Sequence, residues 1–583
     1  MCYNISIKKI FRRKEKKNVR RCFWYKDVKW CLRKPKGFKP YIERVRQKYT
    51  ALGIDPVMTE ILINRNIKYE DIEKLLKNPG DCLEDPTVIA GLTEAAAAIN
   101  DIINEGYKIK IFADYDVDGL TAGYVMYSYI SNFTSAVEVY YPERSEGYGL
   151  SMNFCKNLPE GSAVITVDNG ISKTAEVTYC NSMGMPVVIT DHHEAKGELP
   201  DTVICNPWLG EKGHHLCGAA VAWKICQQID KLRNTDIAWQ YTPYVAIGTI
   251  KDVMPITLEN MAIIKVGLEM IGEEYTPSIQ LLLKSQKITK CTVEDIDWKV
   301  GPLLNTCGRL GNIQLAKDFL FSRNKNNIIK HIAKMLEMNE TKKAIVSKAS
   351  KKALEQDYSH DAFCLFDVTE FGSGIAGLIA NKLIEATGKP AIVYTKNSGS
   401  FWSGSVRTDG FNILPYLQHE KEVGNILDYG GHAEACGITL LPDVETFKQS
   451  LNAHIRIPLM DFETREEAVM IDAEIKLQDV TKKVYGAISE LPIGKPPIFI
   501  IRNLIVTGWR TSSNNPDNLC ISVMDNEEKV VQDYWAWGKS EVYKRLGEPY
   551  KIDILGTVNY GFGNNATKIV FDIKDIRAAE EVR

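Results

Sequence analysis

Three short, nearly continuous apolar runs, IKIFA ending at Ala113, AVITV ending at Val167 and PVVIT ending at Thr190, are each followed at once by an aspartate: Asp114, Asp168 and Asp191. Runs of that kind suit strands buried on both faces, and the intervening TAGYVMYSYI and ISKTAEVTYCNSMG carry apolar residues at helical spacing. Strands alternating with helices predict βαβ units, a parallel sheet covered on both faces and a ligand site beyond the carboxyl ends of the strands. The aspartates at those ends should therefore converge. Each has a plain structural role available on its own: Asp168 before Asn169 and Gly170 suits a turn, and Asp191 suits a helix cap. Together, and with Asp116 and Asp118 crowded beside Asp114 in DYDVDG, they repel one another unless divalent cations neutralise them.

The residues beside them indicate which cations. Oxygen ligands alone suit Mg²⁺ or Ca²⁺, but His192 and His193 follow Asp191 directly, and imidazole shifts the preference toward a first-row ion. Two ions are expected, Mn²⁺ or Mg²⁺, with Mn²⁺ favoured. The fourteen cysteines include no C-x-x-C pair, so they read as reduced core thiols rather than zinc ligands or a disulfide framework. Two divalent ions about 3.5–4 Å apart, bridged by one carboxylate, acidify a water and hold both oxygens of an in-line displacement at phosphorus. Phosphoester hydrolysis is the expected reaction, and no serine or cysteine constellation offers a competing nucleophile.

At 583 residues and 65.7 kDa the chain exceeds what one core supports. Residues 1–45 form a basic extension: positions 1–38 hold fourteen Lys/Arg against Glu15 and Asp27, a balance of +12 in a chain whose net charge is −2. With Trp24, Tyr25 and Trp30 it reads equally as a solvated tail or as a contact for a nucleic-acid backbone or an acidic partner. Residues 46–100 are a helical lead-in, 101–320 the parallel-sheet domain, 321–358 a connecting helix and 359–445 a second α/β domain. Neither Gly nor Pro occurs between Gly311 and Gly372, and a helix of about 30 residues spans ~45 Å. Residues 455–583 are β-rich with turn signals, which predicts a small antiparallel barrel of the OB type. The N-terminus lacks the apolar core of a secretory signal and no run is long enough to span a bilayer, so a membrane role is excluded and a cytoplasmic location expected.

DYDVDG, VDNG, DHH and GTIKDVMP, in that order, resemble the four motifs of the DHH phosphoesterase superfamily, and GGHAEACG at 430–437 resembles the glycine-rich signature of its DHHA1 domain. The resemblance runs from about residue 50 to the end. It implies a DHH domain joined by a long helix to a smaller α/β DHHA1 domain, with a C-terminal OB-type barrel. It further implies metal ligation by Asp114, Asp116, Asp168, His192 and Asp252, with Asp168 as the bridge. Asp118, Asp191 and His193 would be catalytic residues, supporting the site or facing the substrate, with His193 donating to a non-bridging phosphate oxygen. Arg144, Arg309, Ser405, Arg407 and His432 would hold the substrate's phosphates. The implied activity is 5′→3′ exonucleolytic degradation of single-stranded DNA in recombination and repair, by a monomer with a single-strand-binding protein or a helicase as candidate partners. Two alternatives stand beside it: a DHH-family phosphodiesterase for oligonucleotides or cyclic dinucleotides, and a non-catalytic DHH-like scaffold. One position departs from the family pattern, since GPLLN has Leu303 where an arginine is common.

Overall fold

The computed structural model describes residues 29–579 except 38, 196, 212, 214, 273, 397–400, 464–467, 514, 526–528 and 562–567. Its five-stranded sheet runs Val137–Tyr140, Lys108–Ala113, Ser162–Val167, Val187–Thr190, Val203–Cys205, every pairing parallel. The chain begins at the interior strand Lys108–Ala113, adds Val137–Tyr140 on one side, then reverses and places Ser162–Val167 on the other. That reversal opens a crevice at the carboxyl ends of Lys108–Ala113 and Ser162–Val167, whose next residues are Asp114 and Asp168. Alternate strand residues serve opposite faces. Ile109, Ile111, Ile165 and Val188 pack with helices Leu92–Asn104, Val117–Ile130 and Gly218–Arg233, whereas Phe112, Val164 and Ile189 pack with Val177 and Cys180 of helix Thr174–Ser182. Leu92–Asn104 therefore covers this sheet, although most of it falls within the expected lead-in; Ala95, Ala96 and Ile99 are buried in the sheet's core rather than among the lead-in helices.

The rest of the lead-in has a different partner. Helices Lys39–Ala51, Pro56–Asn64 and Tyr69–Lys77 share one core with the C-terminal strands: Tyr49, Met58, Ile61, Leu62, Ile72 and Leu75 pack in the same cluster as Phe499, Ile521 and Phe571. Strands Phe499–Thr511, Leu519–Met524, Val531–Ala536, Ile569–Ala578 and Lys551–Tyr560 pair in that order, and Lys551–Tyr560 returns to Phe499–Thr511, closing a five-stranded barrel. In chain order this is 1-2-3-5-4-1 with the third and fifth strands parallel, compatible with an OB fold. Helix Lys39–Ala51 crosses the boundary expected at residue 45. The end of the basic extension is also structural: strand Lys29–Leu32 pairs with Ala468–Ile471, and Trp30 donates from Nε1 to Asp575 (3.0 Å) beneath the Arg577 guanidinium. Trp24 and Tyr25 lie outside the described residues.

These elements, Lys29–Ala344 with Ala468 onward, form one compact unit, and Ile345–Glu467 forms another. The latter holds a mixed sheet ordered Ile426–Gly431, Ala435–Leu440, Trp402–Arg407, Ala391–Thr395, Cys364–Asp367, with only the last pair parallel. Helix Val444–Glu463 crosses the barrel boundary expected at 455, because Phe447, Leu451, Ile455 and Leu459 are buried with Ile392, Val406 and Ile438 of this sheet. The connecting helix is Lys325–Leu354, 30 residues long. Among the described residues no helix is long and apolar enough to cross a membrane.

The lead-in is tied to the barrel by charge as well. Arg65 makes a bidentate pair with the buried Asp472 at 2.8 Å for each bond, donates to the Ile493 carbonyl at 2.7 Å, and Arg33 adds a contact to Asp472 at 3.0 Å. Removing the carboxylate strands two guanidinium groups. Asp472→Ala should cost about 3–5 kcal/mol in the unfolding of this unit, followed by denaturant titration; a loss under about 1 kcal/mol would mean the pair behaves like an exposed one.

Candidate metal centre and phosphate contacts

Each acidic side chain reaches the crevice by its own local device. Asp116 caps helix Val117–Ile130, accepting from Gly119 N–H at 3.0 Å. Asp118, in the first turn of that helix and buried, accepts from Gly218 N–H (2.6 Å) and Ala219 N–H (3.0 Å), so it sits on the positive N-terminus of helix Gly218–Arg233. Asp168 leaves its strand at φ +62°, a left-handed conformation that costs a non-glycine residue energy and is characteristic of functional sites. A Cβ on Gly218 would lie 2.5 Å from that of Asp168, so glycine is what lets this helix approach the carboxylate. Asp252 ends helix Thr242–Lys251. His192 lies among them, its Nε2 3.0 Å from Asp168 Oδ1, 3.7 Å from Asp252 Oδ2 and 3.8 Å from Asp118 Oδ2.

The electrostatics are unfavourable without a cation. Burial raises the Asp114 carboxyl well above its ordinary value, and Asp116 adds to this; Asp168 is raised well above by burial, then by Asp118, Asp116, Asp114 and Asp252. Asp118 is raised by burial against the pull of His192, and Asp252 is pushed up to about 8 by burial and by Asp118 and Asp116. Burial lowers His192, favouring the neutral imidazole that a metal requires. Asp114 Oδ1, Asp168 Oδ1 and Asp252 Oδ2 are buried and accept no hydrogen bond, and the 3.0 Å approach of His192 to Asp168 falls outside hydrogen-bonding geometry. Orphaned oxygens beside a neutral imidazole fit divalent cations. Three groups offer ligand atoms within 4.8 Å of one another: Asp114, Asp116 and Asp168; Asp118, His192 and Asp252; and Asp168, His192 and His193. Asp168 is common to the first and third.

The remaining expected residues divide between the two units. Asp191 is buried rather than substrate-facing: its Oδ1 accepts from the backbone N–H of His192 (2.7 Å) and His193 (3.1 Å) and meets His193 Nδ1 at 2.8 Å, while Oδ2 accepts from Ile171 N–H at 3.0 Å. Burial opposes ionisation of both partners, yet this hydrogen-bonded pairing holds Asp191 below its ordinary value and raises His193 to about 9. Arg144 lies over the Tyr115 ring at 5.1 Å, between the ligand candidates Asp114 and Asp116 in sequence. Arg309 ends helix Gly301–Arg309; a Cβ on its neighbour Gly308 would lie 3.0 Å from the Tyr115 carbonyl. Leu303 is buried in the domain core, so at this position the chain has packing in place of a cation.

In the second unit, Ser405 and Arg407 share one face of the central strand Trp402–Arg407. Both point at the first turn of helix Ala376–Thr387: a Cβ on Gly377 would lie 2.9 Å from Arg407 Nη2 and 3.7 Å from Ser405 Oγ. A guanidinium, a hydroxyl and a helix N-terminus together suit an anion. His432 is exposed at a hairpin tip, its backbone bonded both ways with Ala435 (2.9 and 3.2 Å).

Three features of the site escaped sequence reading. Tyr148 places its hydroxyl 3.2 Å from His193 Nδ1 and 3.4 Å from the Asp168 carbonyl. Gly218 and Gly248 make room for Asp168 and Asp118. Only the position of Tyr148 in EGYGL, just after Arg144, could have signalled any of them.

Residues 108–249, which hold this doubly wound sheet and most of the acidic and imidazole set at its switch point, match the DHH family, N-terminal domain. The chain is 27% identical over 564 residues to the single-stranded-DNA-specific exonuclease RecJ of Bacillus subtilis strain 168, spanning 93% of this chain and 70% of that protein. It is 27% identical over 356 residues to RecJ of Thermus thermophilus, spanning 60% of this chain and 52% of that one. A crystal structure of RecJ from Thermus thermophilus in complex with Mn²⁺ matches with a TM-score of 0.79 at 21% identity, covering 95% of this chain and 80% of that chain. The chain is thus similar to RecJ proteins over most of its length, and to the DHH family over residues 108–249.

The raised carboxyls set a pH dependence. Groups whose folded-state values lie above the ordinary 3.8 contribute stability that is fully present below pH 3.8 and lost as the pH rises, for Asp252 through about 8. A divalent cation removes that penalty. Mn²⁺ should therefore raise the melting temperature of the metal-free protein, and by more at about pH 8 than at about pH 6; an increment that stays flat or shrinks across that interval would contradict a carboxylate-rich site.

Proposed function

We propose that the protein is a metal-dependent exonuclease that degrades single-stranded DNA from its 5′ end by phosphodiester hydrolysis, serving recombination and repair. The observation that carries this reading is the convergence on Asp168, which groups with Asp114 and Asp116 on one side and on the other lies 3.0 Å from His192 Nε2, itself 3.7 Å from Asp252 Oδ2. Asp114, Asp116 and Asp168 would hold one ion, and Asp168, His192 and Asp252 a second; Mn²⁺ or Mg²⁺ suits both, as the ions named for the Thermus thermophilus RecJ crystal structures suggest. When bound, such ions supply Lewis acidity and a more acidic water.

The protein's own groups do the rest. Asp118 holds the N-terminus of helix Gly218–Arg233 against the crevice. Asp191 keeps His193 oriented and charged, so that His193 can donate to a non-bridging phosphate oxygen; the Tyr148 hydroxyl, 3.2 Å from the same Nδ1, helps to fix the ring. Arg144 and Arg309 would hold backbone phosphates beside Tyr115, and Ser405, Arg407 and the N-terminus of helix Ala376–Thr387 a terminal phosphate, with His432 near a nucleotide. The barrel would bind the strand, and the stacked Trp535 and Trp537 rings, 5.7 Å between centroids, are a surface on which bases could lie. A monomer with access to a single-strand-binding protein or helicase in the cytoplasm fits this activity.

With Mn²⁺, the purified protein should shorten 5′-phosphorylated single-stranded DNA progressively from that end and act on duplex far more slowly. Faster cleavage of dinucleotides or cyclic dinucleotides would transfer the assignment to a small-substrate phosphodiesterase, and no cleavage at all would favour a scaffold. Asp168→Ala and His192→Ala should abolish turnover with an unchanged circular-dichroism spectrum. Arg407→Ala should lower kcat/KM by about 10–100-fold, the value of a charge-assisted phosphate contact, mostly through KM; an unaltered KM for the 5′-phosphorylated strand would remove Arg407 from the site.

A further inference from the structure

A second group of metal-binding character lies in the Ile345–Glu467 unit, apart from every residue assigned above. Helices Leu414–Glu422 and Val444–Glu463 pack together and bring His419, Glu420 and His454 into contact, with one ligand atom of each within 4.8 Å of the others. The two imidazole rings are 4.4 Å apart and nearly perpendicular, at 84°.

Glu420 is 0% exposed. Its Oε1 accepts from Ser450 Oγ (2.9 Å) and faces His454 Nδ1 (3.1 Å), and its Oε2 accepts from Asn425 Nδ2 (2.7 Å). Among the described residues no lysine or arginine pairs with it; the adjacent Lys421 turns away to Asp428 at 2.7 Å. A buried carboxylate without a fixed cation is costly, and the site offers only imidazoles to neutralise it. His454 faces solvent, which leaves an approach to the cluster from outside while Glu420 closes it from within.

We propose that His419, Glu420 and His454 bind a divalent first-row ion of the zinc class, separate from the acidic crevice, clamping the two helices together. Two imidazoles and one carboxylate with an open fourth position are a nitrogen-rich set that suits Zn²⁺, in contrast to the oxygen-rich crevice. Tetrahedral zinc with bonds of about 2.0–2.1 Å holds its ligand atoms about 3.3 Å apart. The Glu420–His454 separation is already 3.1 Å, and a ligand atom of His419 lies within 4.8 Å of both.

Co²⁺ is the probe, because tetrahedral Co²⁺ absorbs in the visible and occupies zinc sites. In the full-length Asp114→Asn/Asp168→Asn protein, which weakens the crevice, one equivalent of Co²⁺ should develop visible d–d bands that Zn²⁺ bleaches. His419→Ala and His454→Ala, both surface-compatible changes, should each abolish the bands, and Glu420→Gln should weaken binding by about 10–100-fold, as loss of a ligating or orienting group does. Bands that persist unchanged in both histidine variants, or no tetrahedral spectrum in their parent, would overturn the site and leave His454 as a simple ionic partner of Glu420. Comparing histidine variants with their parent separates this site from the crevice: ions left in the crevice contribute equally to all three.

Discussion

Mutual repulsion among Asp114, Asp116, Asp118, Asp168 and Asp252 is the constraint that the surroundings of the parallel sheet's crevice answer to. Two unit charges about 4 Å apart cost ~4 kcal/mol at an effective dielectric of about 20, and here several such pairs lie beyond the ends of two adjacent strands. A fold can hold such a group only if other parts of the chain impose it. The doubly wound sheet does so by starting at Lys108–Ala113 and reversing, so that Asp114 and Asp168 leave adjacent strands. The helix Gly218–Arg233 does so by directing two backbone N–H groups at Asp118. The left-handed turn at Asp168 is part of the same imposition, strain retained because the surrounding packing outweighs it.

Much of this was legible in the sequence because it depends on local pattern. The apolar runs before Asp114, Asp168 and Asp191 encode strands buried on both faces, and the aspartate after each marks its carboxyl end. The barrel was legible as alternating β-rich segments, and the long helix as a tract without Gly or Pro. What stayed hidden depends on contacts between residues remote in sequence. Nothing in AGLTEAAAAINDI says whether Leu92–Asn104 covers the sheet or joins the lead-in, since its apolar face would satisfy either. The space that Gly218 grants Asp168, and the hydroxyl that Tyr148 brings to His193, exist only once separate segments meet.

The division of labour around DHH was likewise only partly readable. Three consecutive residues point to three environments: Asp191 inward to the backbone, His192 to the carboxylates, His193 back toward Asp191 and Tyr148. In an extended or turning segment successive side chains diverge, so adjacency in sequence carries little information about shared function. Leu303 shows the converse. A position where the resemblance leads one to expect a cation is here filled by a core side chain, and the guanidinium over Tyr115 is that of Arg144, from another element.

The core shared by the lead-in helices and the barrel has a consequence for how the chain comes into being. Arg65 and Asp472 are 407 positions apart, and Tyr49, Ile61 and Leu62 are covered by residues such as Phe499 and Phe571. At ribosomal rates of about 5–20 residues per second, the first helices wait on the order of tens of seconds before their partners emerge. Through that interval the parallel sheet can assemble from its own segments while the earliest-made apolar surface stays open. A protein built this way has a high contact order in its oldest part, which makes those helices the place where chaperones, or aggregation, would act first.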